Sequence, residues 1–291
     1  MINLLERPKQ SQEGQEGPIN KYSAIIIGAG GQGALSDTPT SGKIISFAHA
    51  VKGHPGFELV GFIDKNEDKA MNAAQIWQGV YYTDLSQAFY GQRDVAIVST
   101  PDNTHYEILK ELTNYPLRLV ICEKPLCGTV EQAKEIIALY SERGTPILVN
   151  YTRRFLPYYE ELKRRYEAGE FGELLFAQWN CNRGILHTES HVHDFIEWFF
   201  NREVNETIDW DGDVLEKADY RIWQIQLFFE KYFWQEQRIG DMPVWPYYDK
   251  THWYVMDNAY QFLEGREPLK CDAEDGLRAL EICYGLMEGA K

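Results

Sequence analysis

Short apolar runs alternate with helically spaced apolar positions through the first half of the chain. Tyr22–Ile27 is a β-branched run of strand length, followed by Gly28-Ala29-Gly30-Gly31-Gln32-Gly33. Ile44–Val51 has helical spacing. Phe57–Ile63 reads as the next strand and stops at Asp64. Asp68–Gln78 puts Ala70, Ala73, Ala74 and Trp77 at 3–4 spacing, the mark of one helical face. Asp94–Ser99, Arg118–Cys122 and Pro146–Asn150 read as further buried strands, with helices at His105–Leu112 and Val130–Arg143 between them. Such alternation implies parallel βαβ units with right-handed crossovers. Residues 21–150 are therefore expected to form a doubly wound α/β sheet that binds ligands at the carboxyl ends of its strands.

The pattern changes after Asn150. Pro157–Glu167 reads as a helix ended by Gly169, Glu173–Asn182 as a strand and Glu189–Phe200 as a helix. Tyr220–Phe229 and Tyr232–Ile239 suggest a hairpin around Glu230-Lys231, although that pair is not a favoured two-residue turn. Met242–Trp253 is a loop rich in proline and aromatic residues. Trp253–Leu263 and Ala273–Met287 have helical spacing, with Asp272 as N-cap of the latter. Residues 151–291 thus read as an α+β second domain. Residues 1–20 are polar, show no periodicity and read as a mobile leader.

Composition narrows the picture. A chain of 291 residues suggests about two domains. Its formal charge of −15 argues against nucleic acid or an anionic membrane as the main partner. No apolar run reaches the ~18–20 residues of a membrane span, and the start lacks the apolar core of a secretory signal. Five scattered cysteines without a C-x-x-C pair argue against a disulfide framework or a cysteine zinc cluster and fit a reducing cytoplasm.

The glycine motif follows a strand inside a βαβ unit. Glycines there permit a tight turn and close backbone approach to a pyrophosphate. Ala34–Ser41 interrupts the expected helix and accounts for most of the long interval from Gly33 to Asp64. Asp64 ends its strand and can accept from an adenosine ribose, which favours NAD over NADP. NADP stays possible because Lys65 could soften that preference.

Ser99-Thr-Pro-Asp-Asn-Thr-His105, Cys122-Glu-Lys-Pro-Leu126, Asn150-Tyr-Thr-Arg-Arg-Phe155, Ser190-His-Val-His-Asp194 and Asp275-Gly-Leu-Arg-Ala-Leu-Glu281 occur in this order. Together they resemble the Gfo/Idh/MocA family, the glucose–fructose oxidoreductase and inositol dehydrogenase group. The resemblance implies a Rossmann domain followed by a domain with an open sheet that commonly supports dimers or tetramers. It implies NAD(P)-dependent oxidation or reduction of a secondary alcohol, usually on a sugar or sugar derivative. Lys124 matches the family's catalytic lysine, and His191 the histidine three residues before an aspartate, here Asp194. Thr100, Pro101, Asn103 and His105 match the loop beside the nicotinamide, and Glu123 the cofactor-side glutamate. The family often carries an aspartate four residues before the histidine; here His187 stands there, which puts the usual substrate contact in doubt. With fewer residues between Phe200 and Thr251 than the family usually has, a shortened second domain with a reduced open sheet is expected. Residues 198–262 hold 18 of the chain's 40 aromatic residues, which predicts an aromatic core or interface there.

The residues suit that chemistry on their own terms. A histidine titrates near neutrality and can take a hydroxyl proton, while a lysine can stabilise charge on the oxygen. Arg153 and Arg154, with His187, His191, Lys124 and Asp194, are the candidate substrate contacts; a nucleotide-sugar phosphate is one ligand the arginines could meet. His187 and His191 share a helix face as zinc ligands can, but His193 points elsewhere, so no metal is expected. Two other readings stay open. One is a dinucleotide-binding regulatory protein without turnover. The other is an NAD-using glycosidase or lyase.

Overall fold

The computed structural model describes residues 20–91, 93–181, 185–201, 222–239 and 248–289. Strands β1 (Tyr22–Ile27), β2 (Phe57–Ile63), β3 (Val80–Tyr82), β4 (Val95–Val98), β5 (Leu119–Glu123) and β6 (Ile147–Asn150) form a parallel sheet in the order β3-β2-β1-β4-β5-β6. The order reverses between β1 and β4, which creates a crevice at their carboxyl ends. Ala24–Ile26, Val95–Val98 and Leu119–Cys122 are completely buried. Near-continuous apolar strands are what a parallel sheet covered on both faces requires. The covering helices are α1 (Phe47–Gly53), α2 (Glu67–Trp77), α3 (Leu85–Ala88), α4 (His105–Leu112) and α5 (Val130–Arg143). Side chains of Ser46, Asn66 and Thr129 cap the first turns of α1, α2 and α5.

Two local features depart from the sequence pattern, and one expected feature forms without its usual turn residues. The helix expected at Ile44–Val51 begins only at Phe47, because Asp37 accepts the Ile45 and Ser46 N–H groups and holds them out of a helix. β3 and α3 span three and four residues, too short for any period to announce them. The hairpin of β8 (Ile222–Phe229) and β9 (Phe233–Ile239) does form. Its turn needs no favoured pair, since Glu230 N–H donates to Glu173 O and Lys231 N–H to Phe171 O.

Strand β7 (Leu174–Cys181) pairs with β8, giving a three-stranded antiparallel sheet β7-β8-β9. Helices α6 (Pro157–Glu167) and α7 (Ser190–Phe200) pack with it around Tyr159, Phe171, Phe195, Phe199, Phe200 and Phe229. This core is aromatic, as expected, but α6 and α7 supply many of its rings. The expected loop Met242–Trp253 is described only from residue 248; helix α8 (Thr251–Leu263) already begins at Thr251, and Trp245 lies outside the described residues.

The chain does not stay in its second half after β9. Val255, Met256 and Ala259 of α8 and Leu277, Ala279 and Leu280 of α9 (Ala273–Gly289) join the core of the parallel sheet. α8 lies so close to the turn before β2 that a Cβ on Gly56 would stand 2.3 Å from the Tyr260 ring. Burying a side chain such as Val255 or Met256 contributes about 1.5–3 kcal/mol, which favours this return. Residues 251–289 thus build the first core as well as following the second sheet in sequence. Among the described residues, no helix is long and apolar enough to cross a membrane.

Candidate active site

The three glycines of the motif stand in different surroundings. Gly28 has φ 97°, and a Cβ there would lie 2.7 Å from the Ser99 carbonyl. A Cβ on Gly33 would lie 2.0 Å from the Gly28 oxygen. A Cβ on Gly30 would meet nothing within 4 Å. Packing within the chain therefore demands the first and third glycines, whereas the second borders open space. Ser99 Oγ donates to Gly28 O at 2.9 Å and ties the loop to the end of β4. Gly31–Leu35 form a single π-helical turn, with exposed Gly31 and Gln32 at its tip. This cradle fits a dinucleotide pyrophosphate approaching Gly30.

The interrupting segment is pinned at both ends. Trp77 Nε1 donates to Ala34 O at 2.8 Å. Buried Asp37 accepts the Ile45 N–H at 2.7 Å and the Ser46 hydroxyl, and faces His49 Nδ1 at 3.0 Å. The start of α1 thus carries a carboxylate of its own chain. Asp64 Oδ2 accepts the Ala29 N–H and Oδ1 the Asn66 N–H, both at 2.9 Å. Each oxygen keeps a further lone pair for a ribose hydroxyl.

Thr100, Pro101 and Asn103 follow β4 beside the glycine loop, and Thr104 Oγ1 donates to Thr100 Oγ1 at 2.8 Å. His105 does not face the crevice with them. It is fully buried, with Nδ1 2.7 Å from Pro125 O and Nε2 3.0 Å from Thr100 O. It braces the loop against the turn after β5 instead of reaching a cofactor directly.

That turn is Glu123-Lys124-Pro125, with a cis Lys124–Pro125 bond. The register sets Glu123 opposite Asn150 at the end of β6, and Asn150 Nδ2 donates to Glu123 Oε1 at 2.7 Å. His252 Nε2, from α8, stands 3.6 Å from the same oxygen. Burial pushes the Glu123 carboxyl up, but His252, Asn150 and the Lys124 ammonium outweigh it and hold the group below the ordinary value. Lys124 Nζ donates to His187 O at 3.0 Å. His187 lies in a π-helical turn, Ile185–Glu189, that runs straight into α7 and His191. The Tyr151 ring meets His191 edge-on at 5.7 Å.

Two proposed substrate contacts turn inward. Arg154 and Asp194 are almost completely buried. Arg154 reaches Asp194 through Nε at 3.0 Å and Nη2 at 2.8 Å, and Asp275 through Nη1 at 2.9 Å. Burial pushes the Asp194 carboxyl up to about 7 against the pull of Arg154. The pair locks α6's approach, α7 and α9 together, a structural use of charges that sequence reading assigned to substrate. Arg153 is also buried. His193 turns away from His187, with Nε2 3.6 Å from Glu189. Among the described residues, no group of three or more His, Cys, Asp or Glu is placed to hold a metal ion.

Asp37 and His252 carry no motif, and only the folded chain brings Asp37 to the start of α1 and His252 to Glu123. Asn150 lies within a recognised segment, but its end-of-strand position opposite Glu123 is the signal that could have marked it.

Comparison with known proteins adds an independent line. Residues 25–151 match the model of the Gfo/Idh/MocA oxidoreductase family, NAD-binding Rossmann fold. An inositol 2-dehydrogenase of Rubrobacter xylanophilus is 23% identical over 227 residues, 72% of this chain and 61% of that protein. The scyllo-inositol 2-dehydrogenase (NAD(+)) of Bacillus subtilis is 36% identical over 115 residues, 35% of this chain and 33% of its own. The chain thus spans less than two thirds of the length of these relatives. The WlbA dehydrogenase of Bordetella pertussis, solved with NADH and UDP-GlcNAcA, superposes with a TM-score of 0.71 at 18% identity, covering 93% of this chain and 96% of that one. At that identity the likeness shows a shared fold.

Proposed function

We propose that the chain, whose residues 25–151 match the Gfo/Idh/MocA oxidoreductase model, is an NAD-dependent dehydrogenase or reductase acting on a secondary alcohol of a sugar or cyclitol. The single observation that carries this reading is the contact of Lys124 with His187 O. It sets an ammonium at the carboxyl edge of the sheet, on the turn that leads into the His191 helix.

The glycine cradle would hold the pyrophosphate, and Asp64 the adenosine ribose. When bound, the nicotinamide supplies the acceptor or donor of hydride. In the oxidative direction the substrate hydroxyl replaces the His187 carbonyl on Lys124. His191 takes the hydroxyl proton as the hydride leaves carbon, and Lys124 stabilises the charge growing on oxygen until the carbonyl forms. Thr100, Pro101 and Asn103 line the cofactor side, and Glu123 anchors the base of the lysine turn. His187, exposed above Lys124, and Arg153 are the remaining candidates for substrate contact.

We place the protein in a reducing cytoplasm, in keeping with five scattered cysteines that form no C-x-x-C pair. A homo-oligomer is proposed as well, since exposed Leu175 and Phe233 lie on the three-stranded sheet. NADH titration followed by turnover of inositols, sugars and nucleotide-sugars tests the activity. Tight NADH binding with no turnover across that panel would replace this reading with a regulatory one.

A further inference from the structure

His252 lies far from every recognised motif, yet α8 carries it into the active site. It is 5% exposed. Its ring meets Phe47, the first residue of α1, edge-on at 4.3 Å. Nδ1 stands 3.2 Å from the Thr251 hydroxyl, and Nε2 stands 3.6 Å from Glu123 Oε1. A hydroxyl donating to Nδ1 leaves the ring proton on Nε2, directed at the carboxylate. Asn150 already donates to that same oxygen at 2.7 Å. The His252 separation is slightly longer than a hydrogen bond, as active-site contacts often are before a complex tightens.

We propose that His252 is a positioning residue: together with Asn150 it clamps Glu123 and so fixes the Lys124 turn for reaction. The inference rests on the proposed dehydrogenase activity and adds a residue to its machinery. Glu123 immediately precedes Lys124, so anchoring its carboxylate to Asn150 and His252 restrains the backbone from which the lysine turn starts. A carboxylate with one neutral donor from β6 is poorly held; a second donor from α8 removes that freedom. The chain of contacts also gives the segment after the glycine loop a route to the lysine. Asp37 pins Ser46, Phe47 follows, and its ring packs on His252.

Two variants separate positioning from packing. His252→Phe keeps a planar ring against Phe47 and removes the donor. His252→Gln restores an N–H near the Nε2 position. With a substrate that the wild type turns over, His252→Phe is expected to lower kcat about tenfold or more, the scale of a small misplacement of reacting groups. His252→Gln should recover most of that loss at unchanged KM. A His252→Phe enzyme with wild-type kcat overturns the proposal, as does a His252→Gln enzyme no better than His252→Phe.

A second readout needs no turnover. Thermal unfolding of His252→Phe, Glu123→Gln and the double variant forms a cycle. Coupled residues give a double variant whose midpoint drops by clearly less than the sum of the single drops. Strict additivity overturns the contact even if the enzyme is active. Coupling in a protein that turns over none of the panel would sink the dehydrogenase reading and leave the clamp standing.

Discussion

The Lys124 ammonium donates to the main-chain oxygen of His187 at 3.0 Å, so one hydrogen bond joins the end of β5 to the turn that opens α7. A carbonyl oxygen there does for the lysine what a substrate oxygen would do. On the proposed reading the His187 carbonyl holds the ammonium where an alcohol oxygen would bind, and a ligand would displace this neutral acceptor.

Lys124→Met keeps the length of the side chain and removes its charge. We expect kcat/KM to fall about a hundredfold or more, the usual loss for a donor aimed at developing negative charge. The NADH dissociation constant should change little, because the glycine cradle is untouched. Fluorescence titration and steady-state kinetics on one preparation check both halves. An unimpaired Lys124→Met enzyme would remove the lysine from the mechanism.

The glycine loop offers a paired test. A Cβ on Gly33 would strike the Gly28 oxygen at 2.0 Å, whereas one on Gly30 meets nothing. Gly33→Ala should therefore destabilise the protein, by about 1–3 kcal/mol or more for overpacking. Gly30→Ala should fold like the wild type and bind NADH at least tenfold more weakly. Melting curves and NADH titrations separate the two. Equal NADH affinity in Gly30→Ala would mean that no cofactor approaches there.

Much of this architecture was legible locally. β1, β4 and β5 announce themselves as short apolar runs, and the glycine loop and Lys124 follow strands directly. What was hidden depends on contacts between distant segments. His252 reaches Glu123 only because α8 returns to the first core. Arg154 looked like a substrate contact because its basic stretch is visible in sequence, while Asp194 and Asp275, which consume it, lie on two later helices. The Ile44–Val51 pattern is helical, but the Asp37 carboxylate competes for its first N–H groups and wins.

Asp37 therefore has a measurable share in stability. Asp37→Ala would leave the Ile45 and Ser46 N–H groups and the buried Ser46 hydroxyl without their acceptor. Each such group costs about 1–3 kcal/mol when unsatisfied, reduced wherever water enters. We expect a clear drop in the unfolding midpoint and faster amide exchange at residues 45–46. A variant as stable as the wild type would show that the segment after the glycine loop is not fastened by this residue.

The Arg154–Asp194 pair separates a structural from a substrate-binding role. Arg154→Met would leave two carboxylates without their guanidinium, and losing one partner of a buried pair costs about 3–5 kcal/mol. Instability, and not a selective rise in KM, is the expected phenotype. Asp194 adds a pH signature. Burial raises its folded-state carboxyl from 3.8 to about 7, so between those pH values the folded protein holds a proton there that the unfolded chain has released, and Asp194 is a carboxylate in both states only above about 7. Stability from this group is complete below the unfolded value and is lost as pH rises through about 7. Asp194→Asn removes the titration. Subtracting its unfolding midpoint from that of the wild type, pH by pH, should give a difference that falls between pH about 4 and about 7. A flat difference across that window would mean that Arg154 keeps Asp194 ionised throughout, and that the guanidinium outweighs burial.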